Sequence, residues 1–167
     1  MKVYLDNGAT SFPKPPGVTA AMVDFMNNIG SNPGRGSYCS SLETSRSIYN
    51  CRELLCTLFN FDKPDHVIFT PNITYSLNIL FQSILKPNWH VITSSMEHNS
   101  VLRPLLAAKD KLGIELDIVP ADNKGLISIE LLKSYIKPET KLVILSHGSN
   151  VTGTVQPLEE IGNLCKI

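Results

Sequence analysis

The sequence predicts an open α/β fold, a mostly parallel sheet flanked by helices. Three observations carry the prediction. Short apolar runs alternate regularly with segments of helical periodicity from about residue 66 onward. The run Leu142-Val143-Ile144-Leu145 has no polar alternation, as a strand buried on both faces requires. The strand-like runs are separated by helical stretches, the order that yields a doubly wound sheet.

Residues 3–5 read as a short strand. Residues 15–28 read as a helix with Val18, Met22 and Phe25 or Met26 on one face. A loop containing Gly30, Pro33, Gly34 and Gly36 follows. Ser40-Ser41-Leu42-Glu43 has the form of a capping box, with the Ser hydroxyl accepting from an N3 amide while Glu43 reaches back. It should open a helix to about Phe59, with Leu42, Tyr49, Leu54 or Leu55, and Leu58 inward. Strands are expected at 66–70, 90–93, 115–119 and 141–145. Helices are expected at 73–85, 101–111, 129–135 and from 158 to 165. The stripe Ile73, Leu77, Leu80, Phe81 and Ile84 defines the buried face of the 73–85 helix. The last helix has barely begun when the sequence stops, so the 167 residues read as a fragment or as a half that needs a partner chain.

The composition narrows the partners. Apolar residues make up 43% of the 167, enough for a core. Charged residues make up 18%, against the usual share of about a quarter, so much of the surface is expected to be covered. The formal net charge is zero with no basic run, which argues against nucleic acid and against an anionic membrane surface. No apolar run reaches the length of a membrane span. Cys39, Cys51, Cys56 and Cys165 form no C-x-x-C pair and have no His at metal-ligand spacing. They are read as reduced thiols in a cytoplasmic protein, with no metal site.

Ligands of parallel α/β sheets bind beyond the carboxyl ends of the strands, so the polar clusters there come first. Thr70-Pro71-Asn72-Ile73-Thr74 joins a strand to a helix. Its free amides and the Thr74 hydroxyl suit a phosphate; the same residues also suit a plain helix cap. His98, in Met96-Glu97-His98-Asn99, can stack on a flat ligand or move protons, or can simply bond to backbone as a loop His. Asn150, in Ser146-His147-Gly148-Ser149-Asn150, can donate to a ligand oxygen or serve a turn. His66 and His90 fall at strand starts, the opposite rim, and read as surface or structural residues. Gly34-Arg35-Gly36 offers amides and a guanidinium to an anion, although loop geometry alone explains its glycines.

Several segments together resemble the cysteine desulfurase, or class V aminotransferase, family of fold type I pyridoxal-phosphate enzymes. They are Tyr4-Leu5-Asp6-Asn7-Gly8-Ala9-Thr10, Asn32-Pro33-Gly34-Arg35-Gly36, Val67-Ile68-Phe69-Thr70, Glu97-His98-Asn99-Ser100-Val101 and Ser149-Asn150-Val151-Thr152-Gly153-Thr154. The matches are collinear and cover essentially the whole chain. The resemblance implies that residues 41–167 are the N-terminal half of the large, cofactor-binding domain, with 1–40 an N-terminal segment and loop. It implies pyridoxal 5'-phosphate as cofactor of the complete enzyme, with weak or no binding by this piece. It implies that the Ile73 and Thr74 backbone and the Thr74 side chain hold the cofactor phosphate. The resemblance implies too that His98 is the catalytic position, stacking on the pyridine ring and shuttling protons, and that Asn150 donates to the phenolic oxygen. The substrate implied is an amino acid, cysteine first, and the full-length assembly a homodimer.

The sequence departs from the family pattern at three positions. Gly8 stands where Ala is usual, Ile73 where a small residue is usual, and Tyr75 where Glu is usual. The last two bear on phosphate affinity. The Schiff-base lysine, the Asp that pairs with the pyridine nitrogen, the substrate-carboxylate Arg and the persulfide Cys of the family all lie further along. No lysine here follows a strand in the required position; Lys124 sits in an Asp-Asn-Lys-Gly turn and Lys166 in the terminal helix. No cysteine here, Cys39 included, inherits the persulfide role. For the intact enzyme the resemblance implies that the cofactor supplies an electron sink, that a thiolate takes the sulfur of cysteine and that alanine is released. The alternatives are another class V aminotransferase-like activity and a non-catalytic piece that binds phosphate ligands or a partner chain. A nucleotide-binding α/β domain is disfavoured, because neither G-x-G-x-x-G nor a Walker loop is present.

Overall fold

The computed structural model describes residues 3–34 and 36–166. Arg35 of the Gly-Arg-Gly loop lies outside the described residues. The chain forms two compact units, one ending at Phe69 and one beginning at Thr70.

In the first unit, helix α1 (Pro16–Asp24) starts on Pro at its first turn, where a missing N–H costs nothing. It continues as a π-turn over Phe25–Ile29 and closes on Gly30, whose φ of 46° lets its amide reach the Phe25 carbonyl at 2.8 Å. Helix α2 (Cys39–Leu58) is the longest element. The expected capping box does not form. The helix begins two residues earlier than expected, with Tyr38 as N-cap and no side-chain cap. The hydroxyls serve the preceding loop instead: Ser31 donates to Ser40 Oγ at 2.6 Å, and Ser41 and Thr44 donate to the carbonyls of Asn32 and Ser31 at 3.0 Å. Ser41, Thr44 and Cys56 are the buried residues of α2, whereas Leu42, Tyr49, Leu54 and Leu58 are exposed.

Two expected strands are absent. Residues 3–5 are irregular, with the Tyr4 hydroxyl donating to the Thr10 carbonyl at 3.0 Å. At 66–70 the chain makes a 3₁₀ turn (Pro64–His66) and then runs extended with no ladder partner among the described residues. Apolar content made both segments look like strands, but a strand exists only where a neighbour pairs with it.

The second unit matches the expected order closely. Its elements are α3 (Ile73–Ile84), β1 (His90–Ser94), α4 (Asn99–Leu112), β2 (Glu115–Val119), α5 (Ile129–Tyr135), β3 (Thr140–Val143) and α6 (Leu158–Leu164). The three strands are parallel in the order β2-β1-β3, and β1 is buried along its whole length. Successive β1 side chains point to opposite faces and define two cores. Val91 packs with Phe81, Leu85, Val101, Leu105 and Ile114 beneath α3 and α4. Ile92 packs with Val119, Ile127, Leu132 and Ile161 beneath α5 and α6. Helices therefore cover both faces, and the carboxyl ends of all three strands open on one rim. His90, on the opposite rim, is fully buried and structural: its ring nitrogens meet Thr140 Oγ1 at 2.7 Å and Asp117 Oδ2 at 3.0 Å.

Candidate active site

The first rim element is the N-terminus of α3. Asn72 is extended and its side chain accepts from the Tyr75 amide at 2.9 Å. That cap takes only the third amide of the helix. The amides of Ile73 and Thr74, and the Thr74 hydroxyl, have no hydrogen-bond partner among the described residues. The cap therefore leaves two amides and a hydroxyl of the same turn free. The Ile73 side chain is 65% exposed and Tyr75 54% exposed, so both departures from the family pattern face outward.

His98 is the N-cap of α4. Its Nδ1 accepts from the Ser100 amide at 3.0 Å and lies 2.8 Å from the Ser100 hydroxyl. Because an amide can only donate, Nδ1 must be the acceptor, and the neutral ring carries its proton on Nε2. Asn150 sits in a tight turn fixed by Ser149. The Ser149 hydroxyl accepts from the Val151 and Thr152 amides at 3.2 Å, and the Gly153 amide returns to the Ser149 carbonyl at 2.9 Å.

His98 links these parts. With Asn150, Glu97 and Ser146 it lines a cavity of about 230 Å³. With Thr74, Asn78 and Arg103 it lines a second cavity of about 440 Å³. The structure thus brings Thr74, His98 and Asn150 to one rim, with His98 between the other two; Ile73 contributes its backbone only. No lysine lines either cavity.

The rim is stitched together by side chains that sequence reading did not single out. Ser95 Oγ accepts from the Ala121 amide at 2.9 Å, tying the loop after β1 to that after β2. The Thr154 hydroxyl donates to the Lys124 carbonyl at 2.6 Å, and buried Gln156 donates to the Gly125 carbonyl at 2.7 Å while accepting from the Ile127 amide at 3.0 Å. These bonds tie the loop after β2 to that after β3. Asp122 closes its own turn by accepting from the Leu126 and Lys124 amides at 2.8 Å, and these bonds hold its carboxyl below the usual range. Gly125 has φ of 80°, and a Cβ there would lie 2.9 Å from Met96 Cε and 3.0 Å from Thr154 Oγ1. The Asp-Asn-Lys-Gly pattern marks a turn at Gly125 but not its contacts with Met96 and Thr154, and no local signal marks Gln156, because these contacts join residues distant in the chain.

The whole described sequence also matches known proteins. The family model for aminotransferase class-V matches residues 3–167. The chain belongs to the class-V aminotransferase family. The mitochondrial cysteine desulfurase of Arthroderma benhamiae is 34% identical over 98% of this chain and 33% of its own length. A probable cysteine desulfurase of Methanothermobacter thermautotrophicus is 31% identical over 97% of this chain and 40% of its own length. The apo structure of the cysteine desulfurase from Thermococcus onnurineus NA1 superposes with a TM-score of 0.90 at 29% identity, covering 98% of this chain and 41% of that one. SspA in complex with cysteine gives a TM-score of 0.84 at 29% identity, covering 99% of this chain and 48% of that one. The chain therefore spans between a third and two fifths of the curated relatives, and the class-V fold it carries is part of a larger one.

The rim suits the family's cofactor, pyridoxal phosphate, on its donor chemistry. Two free helix amides and a hydroxyl match a phosphate dianion, an exposed imidazole matches a flat heteroaromatic ring, and a carboxamide matches a phenolic oxygen.

Proposed function

We propose that these residues are the cofactor-cradling part of a pyridoxal-phosphate-dependent cysteine desulfurase. The observation that supports this best is the meeting of Thr74, His98 and Asn150 on adjoining cavities at one rim, in a chain that matches desulfurases along its length. The Ile73 and Thr74 amides and the Thr74 hydroxyl would hold the phosphate. His98 would stack on the ring and present a proton on Nε2. Asn150 would donate to the phenolic oxygen. When bound, the cofactor supplies an electron sink for breaking bonds at the amino-acid α and β carbons. In the complete enzyme the C–S bond of cysteine breaks, the sulfur joins an enzyme thiol as a persulfide, and alanine leaves.

The Schiff-base lysine and the persulfide thiol belong, on this reading, outside residues 1–167, and residues 41–167 form part of the large domain. The complete protein is a homodimer of the cytoplasm; the four cysteines here are free thiols. A different class V reaction on another amino acid is the second reading.

The test is an absorbance spectrum of the full-length protein with pyridoxal phosphate, before and after borohydride, followed by incubation with cysteine and a reductant. A near-visible band that borohydride fixes to a lysine beyond residue 167, with alanine and sulfide formed in equal amounts, is the expected result. Attachment to a lysine within residues 1–167 contradicts the assignment of that lysine. Turnover of other amino acids without alanine from cysteine favours the second reading.

A further inference from the structure

Glu97 precedes His98, and its half-buried carboxylate spans two loops. Oε1 accepts from the Ser94 hydroxyl at 2.7 Å and from the Ser146 amide at 2.8 Å, and Oε2 accepts from the Ser146 hydroxyl at 2.7 Å. Ser94 in turn accepts from the Met96 amide at 3.2 Å. Ser94 ends β1, while Ser146 follows β3 and lies just before the Asn150 turn. Backbone pairing between these strands runs out nearby. The last paired residues are Ile92 and Val143, followed by the Ile144 amide to the Ile92 carbonyl at 2.9 Å and the Thr93 hydroxyl to the Ile144 carbonyl at 3.0 Å. Beyond that point the Glu97 side chain takes over the role of the ladder.

We propose that Glu97 is a positioning residue that sets the spacing between His98 and Asn150. The inference rests on the cofactor-binding reading of those two residues. The partners of Glu97 are neutral hydroxyls and an amide, and no basic side chain lies within ion-pair distance of it among the described residues. The strap therefore needs acceptor geometry rather than negative charge. A glutamine keeps both bonds to its oxygen and reverses the third, because a serine hydroxyl can accept from the amide. Alanine removes all three and leaves the Ser146 amide unpaired. Aspartate is one methylene too short to span the loops.

The test uses the full-length protein with E97Q, E97A, E97D and S146A. Two quantities are read: amide exchange of Ser146 without cofactor, and pyridoxal-phosphate affinity with the circular dichroism of the bound cofactor. In E97A and E97D, Ser146 exchange should accelerate at least about tenfold and affinity should fall by a similar factor, with an altered cofactor band. E97Q should restore both. S146A, which loses one bond, should fall between, and it carries the test if E97A does not fold. An E97Q protein as impaired as E97A overturns the proposal in favour of a charge role, and an E97A protein unchanged in both readouts overturns it outright. If the wild-type protein binds no pyridoxal phosphate, the cofactor reading has failed, while Ser146 exchange still decides whether the strap exists.

Discussion

His98 caps its own helix, and the cap decides which ring nitrogen faces outward with a proton. With Nδ1 committed to the Ser100 amide, the neutral ring is the Nε2–H tautomer. Ring nitrogen spectra of the neutral protein should show a non-protonated Nδ1, and S100A should leave that unchanged because the amide remains; an Nδ1–H signal contradicts the geometry. Thr74 is expected to act through its hydroxyl as well as its amide. Thr74→Val keeps the helix amides and should weaken pyridoxal-phosphate binding by about 1 kcal/mol, roughly fivefold, in a cofactor titration. His98 and Asn150 were legible because β1 and β3 end on one rim, whereas the strand expected before Thr74 does not form and that position was marked by the family motif alone. Glu97 stood inside a quoted motif, yet its role was hidden, since its partner Ser146 is 49 residues away. Sequence also left the Asn72–Thr74 turn open between a cap and an anion site; the structure shows that the cap consumes only the Tyr75 amide.

Helices and strands of the second unit were readable because each carries its own period and its own stop. Spacing located α3, α4 and β1. Of the expected α3 stripe, however, only Phe81 is buried, with Leu77 and Ile84 half-buried and Ile73 and Leu80 exposed. The strand buried along its length is β1 rather than the apolar run 142–145, which begins in a half-buried edge strand. Leu105 on α4 is fully buried between α3 and the sheet, so Leu105→Ala should cost about 2–5 kcal/mol in chemical denaturation. The failures had a different cause. Residues 3–5 and 66–70 have strand-like composition without a paired neighbour, and the Ser40 hydroxyl is taken by Ser31 rather than by a helix amide. No local pattern encodes either fact. The rim opposite the candidate site holds a charged cluster with a pH signature. Burial would raise the Asp117 carboxyl, but hydrogen bonds from His90 and Lys137, with their charges, hold it below its ordinary value. Lys137 is raised, chiefly by its hydrogen bond to Glu115 and then by Asp117. A depressed carboxyl stabilises the fold fully above its unfolded value and loses that contribution as pH falls through the lower folded one. A raised lysine contributes below its unfolded value and loses that as pH rises through the higher folded one. The wild-type melting temperature should therefore decline from about pH 4 downward, and Asp117→Asn should flatten that decline. An unchanged acid limb in D117N would assign the sensitivity to other groups.

At the scale of the whole molecule, the two units differ in how well they cover themselves. Around the sheet of the second unit, two cores close on β1 from both faces. Along α1, the π-turn that follows it and α2 of the first unit, Met22, Met26, Leu54 and Leu58 are each at least 60% exposed. The 167-residue chain expressed alone should consequently bind a hydrophobic dye strongly, and full-length protein should bind it weakly; equal signals would mean those side chains stay uncovered. The small charged fraction anticipated such a surface, though not where it lies. At the rim of the second unit three loops hold one another through Ser95, Glu97, Thr154 and Gln156. Gly125 stands where a Cβ would meet both Met96 and Thr154, in a backbone conformation that a side chain strains by about 1–2 kcal/mol. Such a joint restricts how the sequence can drift over generations. A change at residue 96, 125 or 154 is felt by loops whose residues are far apart in the chain, so accepted changes there should arrive in compensating sets, and the three loops should carry a shared history that the helices around them do not.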